Sequence, residues 1–120
     1  MTEFEAWLRA QFADTGAFTL FIVLLRLTGD AVEPLKSSFA QVIGDDMDWA
    51  EMTALLAGAR TPWDGVGFFV GLAGGGGPMA DAEARTKLGE IEAEVAADPL
   101  VLNRGRLFDR HGRQMEVDEG

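Results

Sequence analysis

The sequence predicts a small α/β or α+β domain: a single-layer sheet covered by helices, in the order α-β-α-α-β-α-ββ. Three observations carry that expectation. Helical periodicity follows clear start signals at Thr2 and Asp48. A continuous apolar run fills residues 18–28. From Trp63 onward the apolar pattern changes to a period of two. A mostly helical fold with a C-terminal hairpin is the alternative, and Phe18 to Leu27 decides between them.

The elements follow in order. Thr2 and Glu5 have capping-box spacing, and Phe4, Trp7, Leu8 and Phe12 recur at helical intervals, so a helix is expected over about 3–13. Asp14, Thr15 and Gly16 end it. Residues 18–28 are rich in Phe, Ile, Val and Leu and lie between Gly16 and Gly29. A strand buried on both faces reads as such a run. A buried helix reads the same way, but the β-branched and aromatic content favours a strand. Pro34 is placed to open a short helix, with Leu35, Phe39 and Val42 as its stripe and Gly44 as its stop. Asp48 and Glu51 form a second capping box, with Met47 and Met52 spaced as a hydrophobic staple.

Val66, Phe68, Val70 and Leu72 then alternate with Gly65, Gly67, Phe69 and Gly71. The second strand therefore spans about 64–72, with one face nearly bare. Glycine in a strand marks close approach by a backbone, a helix or a ligand. Beyond Gly74–Gly77 and Pro78, Ala84, Leu88, Ile91 and Val95 mark a helix over about 79–97. Turn signals at Asn103-Arg104-Gly105 and Arg110-His111-Gly112 predict one or two small hairpins.

At 120 residues, 48% hydrophobic and 25% charged, the chain has the size of one domain and the material for one core. Residues 1–117 read as a single globular domain and 118–120 as a frayed tail. Acids outnumber bases 20 to 10, a net charge of -10. The surface as a whole is thus disfavoured for nucleic acid. The absence of cysteine removes disulfides, thiol nucleophiles and Cys-ligated zinc. The longest apolar stretch, Ala17 to Leu27, is about half the ~20 residues of a membrane span. Glu3 and Glu5 occupy the place where a signal peptide carries basic residues. These features favour a cytoplasmic protein with no membrane contact. Eight Arg against two Lys, with many Ala and Gly, is the pattern of GC-rich bacterial coding.

Three groups are candidate sites. A strand, then Gly74, Gly75, Gly76 and Gly77, then a helix is the layout of an anion cradle. Neither G-x-G-x-x-G nor G-x-x-x-x-G-K-[ST] is matched, and Asp81 and Glu83 follow, so a flexible connector is the plainer reading. The second is the one basic segment, where Arg104, Arg106, Arg110 and Arg113 face only Asp109. Arginine forks suit carboxylate or phosphate. They equally suit the acidic face of this domain or of a second copy. The third is Asp45, Asp46 and Asp48. Helix capping accounts for Asp48 without a metal, and no EF-hand spacing is present. Trp63 and Phe69, beside the glycine face, are candidates for a contact surface. The only histidine, His111, sits in a turn, and no G-x-S-x-G surrounds Ser37 or Ser38.

No catalytic motif is present and no cofactor is expected. The sequence reads as a non-catalytic protein-interaction or dimerising module, with a homodimer or a protein as partner. The alternative is a small-ligand protein that holds phosphate or carboxylate with Gly74–Gly77 or the C-terminal arginines.

Overall fold

A computed structural model describes residues 1–29 and 31–117; the expected frayed tail at 118–120 lies outside them. The first helix, α1 (Glu3–Thr15), starts on the expected capping box. The Thr2 hydroxyl accepts from the Glu5 N–H at 3.2 Å, and the Glu5 carboxylate accepts from the Thr2 N–H at 3.0 Å. Gly16 ends the helix at φ 72°, a conformation glycine adopts without strain.

The ambiguous run is a strand, β1 (Phe18–Thr28), followed by β2 (Ala31–Val42), α2 (Trp49–Ala57), β3 (Gly65–Gly71), α3 (Asp81–Ala97), a 3-10 helix (Pro99–Arg104), β4 (Arg106–Asp109) and β5 (Gln114–Met115). The five strands form one antiparallel sheet in the order β2-β1-β3-β4-β5. The fold is α+β, and β1 and β3 lie in the sheet's interior as expected.

One element corrects the expected order. The segment expected as a helix after Glu33-Pro34 is β2, paired with β1 from Phe18↔Val42 to Thr28↔Ala31. The register slips between Val23 and Leu25, where Leu35 and Lys36 together stand opposite Leu24. Such a bulge breaks the period of two. Leu35, Ala40 and Val42 pack toward α1 and α2, and Val32 and Phe39 toward α3. Leu35, Phe39 and Val42 thus have helix-like spacing although Phe39 faces the opposite layer from the other two. Pro34 is tolerated because β2 is an edge strand.

A second correction concerns Asn103-Arg104-Gly105. These residues end a 3-10 helix capped by Asp98, whose carboxylate accepts from the Leu100 N–H at 3.1 Å. One C-terminal hairpin remains, β4–β5. The α2 start is half as expected: Asp48 accepts from the Glu51 N–H at 2.8 Å, with no return bond from Glu51 among the described residues.

The two sheet faces are covered separately. Phe18, Leu20, Ile22 and Leu24 of β1 face α1 and α2, meeting Phe4, Leu8, Trp49, Met52 and Leu56. Phe21, Val23 and Leu25 face α3 and the 3-10 helix, meeting Ala84, Ile91, Val95, Val101 and Leu102. That two-sided cover is why β1 reads as a continuous apolar run. Thr19 is the buried polar residue of β1. Its hydroxyl donates to the Gln41 side chain at 2.6 Å and accepts from the Met79 N–H at 2.8 Å, which meets the hydrogen-bonding need of a buried hydroxyl.

Candidate functional site

The face expected to be bare on β3 is filled. A Cβ built on Gly67 falls 2.7 Å from Leu102, and one on Gly71 falls 2.5 Å from Phe21 and 2.7 Å from Met79. The glycines therefore admit the 3-10 helix and the loop before α3 against the strand. Phe69 is half-buried against the same cluster. Trp63 is only 8% exposed. It lies edge-on to Trp49 at 6.3 Å and is covered by the Arg110 guanidinium, 5.7 Å from the ring centre. That cation–π contact commits Arg110 to the domain's own surface.

The glycine loop closes on itself. The Gly76 N–H donates to the Ala73 carbonyl, and the Ala73 N–H to the Gly77 carbonyl, both at 2.9 Å. Gly76 and Gly77 have φ of 91° and 78°. Pro78, Met79 and Ala80 separate the loop from α3, whose first turn carries Asp81 and Glu83. Among the described residues, no group of three His, Cys, Asp or Glu is placed to hold a metal ion. No described helix is long and apolar enough to cross a membrane.

The four arginines do not form one patch. Arg113 pairs with Asp109, Nε to Oδ2 at 3.0 Å, inside the β4–β5 turn. Partial burial pushes Asp109 upward, but the backbone N–H groups of Arg113 and His111 and the Arg113 guanidinium outweigh it. They hold this carboxyl below its ordinary value. Arg104 and Arg106 sit at the other end of β4, flanking Gly105. They line a groove of about 370 Å³ with Trp7 and Gln11 of α1 and Phe68 and Val70 of β3.

A second surface lies across the sheet and carries no signal in the expected sites. β2 is twelve residues long and, among the described residues, has no strand on its outer side. Its first half holds the usual protections of an edge: Glu33, Pro34, Lys36 and the bulge. Its second half, Ser37-Ser38-Phe39-Ala40-Gln41-Val42, has no charge, no proline and no register break. Beside it lie Ile43, 79% exposed, and Leu55 of α2, 49% exposed. Leu55 borders two grooves between α2 and β2, of about 480 and 190 Å³. The signal available for this surface is the uncharged run from Ser37 to Gly44 in a chain one quarter charged.

No family model matches this chain, and neither the curated proteins nor the solved structures show a significant match to it.

Proposed function

We propose that this domain works through protein contact, pairing edge to edge with a second copy along Ser37–Val42 of β2. The observation that carries the reading is the unprotected half of that edge strand, flanked by exposed Ile43 and Leu55. An open edge offers a row of unpaired N–H and C=O groups, and natural domains blunt such edges unless they use them. Antiparallel pairing centred on Ala40 sets Phe39 opposite Gln41 and Ser38 opposite Val42 of the second copy, so that opposed side chains share a sheet face. No like charges meet at that seam, and the contact is self-complementary, as a two-fold dimer requires. Side chains of β2 already anchor the strand to both helical layers. The Lys36 ammonium donates to the Ala59 carbonyl at 2.9 Å, Ser37 donates to Glu92, and Gln41 donates to the Met79 carbonyl at 3.0 Å. The edge is thus held ready without its backbone being covered.

Light scattering over a range of concentration and salt tests this. Each copy carries a net charge of -10, so an edge-paired dimer strengthens as salt screens that repulsion. A dimer held by the C-terminal arginines on an acidic face weakens with salt instead. Ser38→Lys is the decisive variant. It lowers the net negative charge, which by itself favours association, yet it places a lysine on the seam and is expected to give a folded monomer. A wild-type monomer at high concentration and high salt, or a Ser38→Lys dimer as strong as wild type, defeats the reading.

A further inference from the structure

We propose that the groove between α1 and the start of β4 binds an oxyanion, a carboxylate or phosphate group. Arg104 and Arg106 have no carboxylate within ion-pair distance among the described residues, although the chain has twice as many acids as bases. Both arginines line the same groove, so an anion bound there is attracted by both charges. The groove lining contains no acidic side chain. The indole N–H of Trp7 has no acceptor among the described residues, although the same ring stacks on Phe68 at 5.8 Å and 8°. The groove thus brings together two cationic side chains and an unused N–H donor. That combination suits an oxyanion.

The backbone under the arginines is fixed before any ligand arrives. A Cβ on Gly105 would overlap the Phe68 carbonyl, so the chain between Arg104 and Arg106 lies directly on β3. The Asn103 side chain makes two bonds to the Val117 backbone, each 2.8 Å, and ties the end of the 3-10 helix to the end of the C-terminal segment. Such preorganisation lowers the entropy lost on binding. The volume of about 370 Å³ falls at the lower end of small-ligand sites. The site stands apart from the dimer edge, since β1 and β3 separate β2 from β4.

The test is titration of the intact protein with phenyl phosphate, benzoate and inorganic phosphate. Its readouts are the NMR signal of the Trp7 indole N–H and the melting temperature. We expect one of the two aromatic anions to shift that signal saturably. Phosphate is the favoured head group if phenyl phosphate binds tighter, and carboxylate if benzoate does. Inorganic phosphate tests whether the head group alone suffices, and should depend on the same two arginines. The variant Arg104→Gln with Arg106→Gln should lose roughly tenfold or more in affinity while remaining folded, as removal of charge-assisted hydrogen bonds implies. Arg85→Gln, on α3, should change nothing. The proposal is overturned if neither aromatic anion binds saturably, or if the double variant binds as wild type does.

Discussion

The two faces of the sheet are built on opposite plans, and β3 shows the contrast within seven residues. Toward α1 and α2 it presents Val66, Phe68 and Val70, which enter a network of rings that includes Phe4, Trp7, Trp49, Trp63 and Phe108. Toward α3 it presents Gly65, Gly67, Phe69 and Gly71. A helix standing off a sheet needs large side chains to fill the gap between them. A 3-10 helix and a loop pressed on the strand need the side chains removed. The first face spends volume to reach its cover; the second gives up volume so that its cover can approach. One strand can serve both because its side chains alternate between faces.

Two neighbouring residues test that contrast. Phe68→Ala is expected to have the largest effect, about 3–5 kcal/mol of lost stability in denaturant unfolding, because it opens a cavity among Phe4, Trp7 and Phe108. Against a typical stability of about 5–15 kcal/mol, that loss is a large fraction. Gly67→Ala adds volume on the other face, 2.7 Å from Leu102, and should cost about 1–3 kcal/mol by overpacking. The two costs differ in kind. In a Leu102→Ala background, Gly67→Ala should cost markedly less, because the neighbour it collides with is gone. Simple additivity in that double variant would show that Leu102 is not what requires glycine at this position.

Legibility in the sequence follows the reach of each signal. The Thr2–Glu5 box, the Asp48 cap, the glycine alternation of β3 and the stripe of α3 act within a few residues, and each is readable as it stands. β2 is not readable, because its apolar side chains come from both faces, and the bulge at Leu35–Lys36 interrupts the period of two that would mark a strand. The glycine face of β3 points correctly to a close approach. Only the tertiary fold shows that Leu102, Phe21 and Met79 make it. The arginine cluster is legible as a charge but not as a site. Arg113 turns inward to Asp109, Arg110 covers Trp63, and only Arg104 and Arg106 face a groove. The wall opposite them, Trp7 and Gln11, lies about a hundred residues away in sequence, and no local pattern connects the two.

The smallest expected effect joins the ends of the aromatic face. Glu5 serves two helices at once: one carboxylate oxygen accepts from the Thr2 N–H at α1, and the other from the Trp49 N–H at α2, at 2.8 Å. The Trp49 bond and then the Thr2 bond hold this carboxyl below its ordinary value, against a smaller desolvation effect. A depressed carboxylate stabilises the fold above its unfolded pKa of about 4.3, and that contribution disappears as the pH falls through the folded value. Glu5→Gln should therefore lower the melting temperature at neutral pH. The gap from wild type should close on acidification below the usual glutamate range. The difference between the two proteins is the quantity to follow, because acidification also relieves the repulsion of a net charge of -10 and moves both curves. Asp109→Asn provides the comparison, since Asp109 is depressed by the β4–β5 turn alone. A gap for Glu5→Gln that stays constant with pH would mean that Glu5 acts by shape rather than by charge. The link between α1 and α2 would then rest on the Phe4–Trp49 ring contact instead.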